Sequence, residues 1–458
     1  MKTRKLFIDE RGIALPMALL VLVTLTALML AMLSMSAWEP LISQNLVDTV
    51  NARAIADAGL DFAYNTLMNT PTWNTVLAGA TNATCVDGAP GVLLGAANRS
   101  LPGLAALYGT FTLRVRNDCQ PSDANMTGVP AETAANSAND TNFRLIVDST
   151  GSKNNASRTM MMVVQRINIP LWDAALAFPG VQSDVNFSGA TFTIDGRDTR
   201  LSDTVGSPTG TNPPVFAITT AGNAQGQVNA SGIQTQLANN QQNDVWGRNP
   251  QATNPAIVGG DAAVTQDSST LPNRPPSDPP LTSQVVTDFV NAVKRMADIS
   301  YSADNANTVR IQNVGSTCST NFTDTACWGT DSKPKIVYVK GNLANASDEF
   351  KALDISGTSS AGTGILIVEN GHLEITGDFQ WHGPIIVTGN NVGIWYKGGG
   401  HKAIYGSVIV NELRNDGATN LEGDIRGNAN MAYSKEALDL VANLLARRFL
   451  QMYSVRER

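Results

Sequence analysis

The 458-residue chain is poor in charge, histidine and catalytic motifs, and each shortage argues against a class of function. Only 16% of residues are charged, the net charge is -7, and no Lys/Arg cluster has interleaved aromatic residues. A nucleic-acid-binding surface is therefore not expected. Gly-x-Ser-x-Gly, His-Glu-x-x-His and P-loop motifs are missing. The sequence predicts a protein that is not an enzyme and has no metal or cofactor.

Histidine occurs three times, at His372, His382 and His401. The spacing matches no metal-binding pattern, so we interpret these residues as structural or solvent-exposed. Trp381 and the pair Trp395-Tyr396 fall in the same stretch. They could contact sugars or a protein surface, or pack in a core at bends of the chain.

The four cysteines form two pairs that are close in sequence and lack zinc-type spacing. Disulfides Cys85–Cys119 and Cys318–Cys327 are the simplest interpretation, and they require an oxidising compartment. Free buried cysteines are the alternative.

Charge is absent from one long segment near the amino terminus, between Ile13 and Trp38. As a helix it would span roughly 39 Å, more than the ~30 Å hydrocarbon core of a bilayer. We predict a membrane-spanning helix over 13–38, with the basic residues before it in the cytoplasm. A cleaved secretory signal is the alternative, but its apolar region would run for only ~7–15 residues.

The helical pattern continues beyond Pro40, where a kink is expected. Apolar residues then recur every four positions, which we interpret as one face packed on a soluble domain. These residues are Ile42, Leu46, Val50, Ala54, Ala58 and Phe62.

The stretch Arg11-Gly12-Ile13-Ala14-Leu15-Pro16 resembles the prepilin peptidase site of type IV pilins and pseudopilins. Ser34–Leu60, which contains Ala54-Ile55-Ala56-Asp57-Ala58-Gly59-Leu60, resembles the PilX N-terminal family of pilus assembly proteins. The resemblance implies cleavage between Gly12 and Ile13. It also implies helix packing with other pilins through Ile13, Met17 and the four-residue series.

The resemblance further implies the location and the partners. The chain would be a single-pass inner-membrane protein with its carboxyl-terminal part outside the cytoplasm, and would reach the pilus or cell surface after assembly. Its partners would be other pilins and minor pilins, the prepilin peptidase and the inner-membrane assembly platform.

One departure from the family concerns Met17, because major pilins have Glu at the fifth position after the cut. That Glu can neutralise the amino terminus of a neighbouring subunit, and a buried ammonium without it is costly. We therefore expect a minor subunit that primes assembly or caps the tip. A cell-surface adhesin or ligand-binding β-domain is the alternative, followed by an extracellular polysaccharide lyase.

The expected fold is an α+β pilin-like module with a long transmembrane helix, followed by a mostly-β domain. Short apolar runs, each followed by a Gly/Asn turn, favour a β-solenoid over a β-sandwich. The predicted boundaries are leader 1–12, transmembrane helix 13–38, pilin-like module 39–170, β-rich segment 171–271, Pro-rich linker and helix 272–300, β-solenoid-like domain 301–430 and C-terminal helix 431–458.

Overall fold

A computed structural model describes most of the chain, in two compact units. Unit 1 comprises Met1–Arg166 and Gln451–Arg458, and unit 2 comprises Ile167–Leu450. The predicted leader and most of the predicted Pro-rich linker lie outside the described residues. These are 14–70, 73–167, 169–170, 172–188, 192–221, 230–240, 244–249, 256–266, 281–304, 307–342, 350–414 and 421–457.

The described helices and strands are numbered separately in chain order. The α-helices are α1 (Ala14–Met68), α2 (Ala124–Thr127), α3 (Ala230–Asn240), α4 (Ser283–Val293) and α5 (Lys435–Phe449). The strands of the amino-terminal part are β1 (Val92–Leu93), β2 (Arg99–Ser100), β3 (Thr110–Asn117), β4 (Arg144–Lys153) and β5 (Ala156–Arg166).

The strands of the following segment are β6 (Ala174–Phe178), β7 (Val185–Phe187), β8 (Thr193–Asp195), β9 (Phe216–Thr220), β10 (Val245–Arg248), β11 (Ile257–Gly259) and β12 (Val264–Gln266). After α4 come β13 (Ile299–Ser302), β14 (Val309–Gln312), β15 (Gly329–Thr330), β16 (Lys333–Lys340), β17 (Lys351–Ser356), β18 (Ser360–Glu369), β19 (His372–Thr376), β20 (Phe379–Gly389), β21 (Ile394–Lys397), β22 (Lys402–Glu412), β23 (Gly423–Ile425), β24 (Ala429–Tyr433) and β25 (Leu450–Glu457).

Unit 1 combines α1 with one sheet in the order β1-β3-β4-β5-β25, with β2 beside β3. Strands β3, β4 and β5 pair antiparallel, in agreement with the α+β module expected from the sequence. Lys153 pairs with Ala156, so the hairpin turns in two residues. Asn154 there has φ 50°, a left-handed conformation that asparagine tolerates well.

The predicted C-terminal helix over 431–458 is partly wrong. Helix α5 ends at Phe449, and Leu450–Glu457 is a strand hydrogen-bonded beside β5. The segment after Leu450 contains Tyr453 and Val455, which fit a strand better than a helix. The last strand of unit 1 therefore comes from the far end of the chain, and unit 2 is an insertion between β5 and β25.

Unit 2 is built mainly from parallel strands that alternate between two sheets. Strands β16, β18, β20 and β22 follow one another in the larger sheet. Strands β17, β19, β21 and β23 follow one another in the other. The runs Ile365–Val368 and Ile385–Val387 are buried throughout, as expected for parallel strands covered on both faces.

Strands β18, β20 and β22 of the larger sheet each contain a glycine with a positive φ, and these glycines stack. Gly364, Gly383 and Gly406 have φ of 142°, 125° and 151°. A Cβ on Gly383 would lie 2.2 Å from the Gly364 carbonyl oxygen, and one on Gly406 would lie 2.3 Å from that of Gly383. Glycine is thus required both by backbone conformation and by the spacing of successive strands.

The predicted division between 171–271 and 301–430 is wrong, because the two segments build the same sheets. Strand β6 pairs with β22, β7 with β23 and β8 with β24, all parallel. This arrangement cannot be read from the sequence, because the paired strands are more than 200 positions apart. A hydrogen bond from Ser407 Oγ to the Ala174 carbonyl oxygen spans a similar separation.

Candidate functional site

The amino-terminal half of α1 is apolar and exposed. From Ala14 to Val47 every residue whose side chain is described is exposed, and large apolar side chains recur throughout. Among the described residues, α1 is the helix that is long and apolar enough to cross a bilayer, judged by length and composition. It is a candidate membrane anchor.

The exposed apolar surface is longer than a bilayer requires. A helix from Ala14 to Val47 measures about 50 Å, against the ~30 Å hydrocarbon core. Its distal side chains, here called the apolar collar, are 50–64% exposed. The apolar collar comprises Leu41, Ile42, Leu46, Val47 and Val50.

Within the length of the apolar collar, between Val47 and Val50, a polar contact joins α1 to the β4–β5 hairpin. Asp48 is buried, and its carboxylate accepts hydrogen bonds from Gln44 Nε2 at 3.1 Å and Asn154 Nδ2 at 2.9 Å. From this contact onward the helix lies against the sheet.

The distal half of α1 buries a stripe of small and apolar side chains with the three- and four-residue spacing of a helix face. The buried residues are Ala52, Ile55, Ala56, Leu60, Ala63 and Leu67. Gly151 allows β4 to lie close to the backbone of α1, because a Cβ at this position would be 2.1 Å from the Ala52 carbonyl oxygen.

The packing face predicted from the four-residue series is wrong. Leu46, Val50 and Ala54 are exposed, and Ala58 and Phe62 are only partly buried. Residues four apart on an α-helix are rotated by about 40°, so the five steps from Ile42 to Phe62 amount to about 200°. The series therefore winds around α1 rather than marking one side.

The predicted peptidase site lies at the boundary of the described residues. Gly12 and Ile13 are outside them, and Met17 is 67% exposed on the first turns of α1. Cleavage, and packing with other pilins through Ile13, Met17 and the four-residue series, remain predictions.

Both predicted disulfides are present in the described structure. Cys85–Cys119 links the segment after α1 to the end of β3, and Cys318–Cys327 closes a short loop in unit 2. Gln120 reinforces the first link, because its Nε2 donates to the carbonyl oxygens of Thr84 and Ala89, each at 2.9 Å.

Three carboxylates meet near the first disulfide. Asn142 Nδ2 donates to both oxygens of Asp118 at 3.0 Å, and Asn142 N donates to Asp140 at 3.2 Å. Burial, with a smaller contribution from nearby Glu132, raises the pKa of Asp118 to about 6 and that of Asp140 to about 7. Both carboxyls therefore titrate closer to neutral pH than an ordinary aspartate does.

The three histidines occupy different settings. His372 is buried with its ring 4.0 Å from that of Trp395. His382 Nδ1 lies 2.7 Å from Asp331 Oδ1, while His401 is exposed in a turn. Among the described residues, no group of three or more His, Cys, Asp or Glu side chains has a metal-binding arrangement.

The aromatic residues considered for ligand contact belong to the core. Trp381 and Tyr396 are 0% exposed and Trp395 is 6% exposed. Of the two interpretations, core packing is therefore correct, and surface contact by these side chains is wrong. Asp331 was not predicted as a site residue, because 51 positions separate it from its partner His382 and no motif joins them.

Comparisons with known proteins do not assign the chain to a family. No protein-family model matches the chain, and no curated protein matches it. A solved structure of the competence-associated pilin ComZ from Thermus thermophilus has 13% sequence identity over 90% of this chain and 98% of that one, with a TM-score of 0.25. A TM-score at this level is too low to indicate a shared fold.

Proposed function

We propose that this chain is a minor, pilin-like subunit of a type IV pilus-type assembly that primes assembly or caps the tip. The supporting observation is the division of α1, whose first half is exposed and apolar while its second half packs on the sheet of unit 1. Its partners are other pilins, the prepilin peptidase and the inner-membrane assembly platform. It starts as a single-pass inner-membrane protein with the chain beyond the membrane helix outside the cytoplasm.

The apolar collar favours assembly over simple anchoring. Exposed apolar patches of this kind are costly in water unless a partner covers them. If α1 served only as a membrane anchor, the apolar collar would be exposed to water, because the collar lies past Glu39 and outside the hydrocarbon core. Helices of neighbouring subunits, packed side by side, would cover both the membrane span and the apolar collar.

Met17 favours a terminal over a repeated position. After cleavage between Gly12 and Ile13 it is the fifth residue, where major pilins have Glu. A subunit without that carboxylate cannot neutralise the amino terminus of a neighbour, so repeated stacking would bury uncompensated charge.

Unit 2 is proposed to be a β-solenoid displayed outward. The support comes from strands that alternate between two parallel sheets and from the stacked glycines 364, 383 and 406. Such stacks provide extended surfaces for contact.

A non-catalytic role is proposed for this domain, in preference to a polysaccharide lyase. Glu369 pairs with Lys294 at 2.8 Å, and Glu374 pairs with Lys351 at 2.8 Å and Lys397 at 3.2 Å. Carboxylates neutralised in this way are poorly placed to act as a general base.

The test substitutes the apolar collar while leaving the membrane span intact. The double variant Leu46→Gln/Val50→Gln should stay in the inner membrane but be lost from sheared pili. The matched control is Asn51→Gln, also exposed on α1 next to Val50. Sequencing the amino terminus of the purified protein checks the proposed cut, which predicts a start at Ile13.

Two outcomes would contradict the proposal. One is equal recovery of the double variant and the control in the pilus fraction. The other is a mature chain that begins elsewhere, or that is released from the membrane without α1.

A further inference from the structure

A cleft in unit 2 carries a set of polar side chains that the pilus role does not use. It has a volume of about 260 Å³ and lies where β15, β18 and β20 meet the loop closed by Cys318–Cys327. Its polar lining is Thr330, Asp331, Thr363, Gln380 and His382. We call it the Asp331 cleft.

Asp331 is the charged acceptor of the cleft. Its Oδ1 accepts hydrogen bonds from Thr363 Oγ1 and His382 Nδ1, each at 2.7 Å. Burial acts to raise the pKa of Asp331, but these two bonds outweigh it and lower the pKa. The side chain is a carboxylate at neutral pH, 51% exposed, with Oδ2 left to accept from a ligand.

His382 and Gln380 lie beside Asp331 and are held in place by hydrogen bonds. Gln380 Nε2 can only donate, so His382 Nε2 accepts from it at 3.0 Å, and His382 Nδ1–H donates to Asp331. This bond leaves Gln380 with a second N–H and its carbonyl oxygen. The ring of Tyr405 lies edge-on to His382 at 5.4 Å and fixes the imidazole plane.

The floor of the cleft is small and apolar. Gly362 lies on the indole of Trp381, where a Cβ would be 2.5 Å from Cζ3. Ala361 and Cys318 also line the cleft. A small, apolar floor of this kind leaves room for the C–H face of a ring.

We propose that the Asp331 cleft binds a neutral saccharide, with Asp331 accepting hydrogen bonds from sugar hydroxyls and Gln380 both donating and accepting. A single carboxylate repels phosphates and uronates. The free amide N–H of Gln380 matches a ligand that also accepts, which an ammonium cannot do. The volume is below the ~300–1,000 Å³ of sites for drug-sized ligands and suits one sugar ring.

The experiment uses the full chain in a detergent without a sugar headgroup, because alkyl glycosides would occupy the site. Glucose, galactose, mannose and N-acetylglucosamine are offered at millimolar concentration, with glucuronate and lysine as charged comparisons. Binding is followed by saturation-transfer NMR and calorimetry.

Two variants test the site by different routes. Asp331→Asn removes the charged acceptor, and we expect at least a tenfold loss of affinity, as for a hydrogen bond to a charged group. Ala361→Phe fills the cleft and leaves the hydrogen-bond network intact, and it should abolish binding. Asp288→Asn, on the exposed side of α4, is the matched control and should bind as the wild type does.

The proposal requires binding of at least one neutral sugar that both cleft variants weaken while their melting temperatures stay at that of the control. No binding by any neutral sugar overturns it. Binding that Asp331→Asn and Ala361→Phe leave unchanged, or a preference for glucuronate or lysine, also overturns it. None of these results bears on pilus association, which is measured separately.

Discussion

Neutralising Asp140 should stabilise unit 1 at alkaline pH. Asp140 is half-buried beside Glu132, and its Oδ1 accepts backbone hydrogen bonds from Asn142 and Arg144 at 3.2 Å and 3.3 Å. In Asp140→Asn the amide oxygen can accept both bonds, so the main change is the loss of the charge.

The size of the effect follows from the pKa shift. The pKa of Asp140 rises from 3.8 to about 7, chiefly through burial. At ~1.4 kcal/mol per pKa unit the full shift corresponds to about 4 kcal/mol. We expect about 2 kcal/mol after allowing for solvent screening of a half-buried side chain.

The sign can be worked out by linkage. The folded state binds this proton more tightly than the unfolded state, so the contribution of Asp140 is complete below pH 3.8 and is lost as pH rises to about 7. Asp140→Asn should therefore be more stable than the wild type at pH 8. Its advantage should shrink as pH falls and vanish near pH 4.

Thermal unfolding of the full chain in detergent at pH 4 and pH 8, with hydrogen exchange of the β4 amides, measures the difference. The control is Asp87→Asn, because the backbone bond from Ser122 lowers the pKa of Asp87 and its neutralisation gives no gain at pH 8. A destabilised Asp140→Asn at pH 8, or an equal gain in both variants, would refute the reasoning.

Three further predictions concern the stacked strands, the disulfides and the anchor. Gly383→Ala places a Cβ 2.2 Å from the Gly364 oxygen and should lower the free energy of unfolding by about 3 kcal/mol; Gly399→Ala, with no atom within 4 Å, should be neutral in thermal melts. Reducing the two disulfides, which span separations of 34 and 9 residues, should cost about 4 and 3 kcal/mol respectively in denaturant titrations, and equal costs would argue against loop entropy. Leu25→Arg places a charge in the exposed apolar half of α1, which costs about 3 kcal/mol in a bilayer centre, so carbonate extraction should release more protein than from the wild type.

Local features were predictable where neighbours in sequence are neighbours in space. The close spacing of each cysteine pair predicted both disulfides. The uncharged run after Ile13 predicted the start of a long helix. These features depend on short-range geometry that a single sequence carries.

Features that depend on distant pairing were not predictable. The strand Leu450–Glu457 is hydrogen-bonded beside β5, and nothing near it in sequence indicates that partner. The sheet partners of β6 and β8 lie beyond the Pro-rich segment, so one body was predicted as two. Asp331 could not be identified as a site residue from the sequence, because only the fold brings it next to His382.

The prediction of which face of α1 is buried was wrong for a different reason. A strict four-residue spacing looks regular in print, but it drifts around a helix of 3.6 residues per turn. Ile55 and Ala56 are buried while Ala54 is exposed, as the true period requires.

Because unit 2 is inserted between β5 and β25, it can be replaced by another domain. The chain enters at Ile167 and leaves after Phe449, and Ile167 N donates to the Phe449 oxygen at 2.8 Å. Entry and exit are thus adjacent, so another domain with neighbouring termini can be grafted there without stretching the host. The sheet of unit 1 is complete only after Leu450–Glu457 has been synthesised, so deleting this strand removes the neighbour of β5 in unit 1.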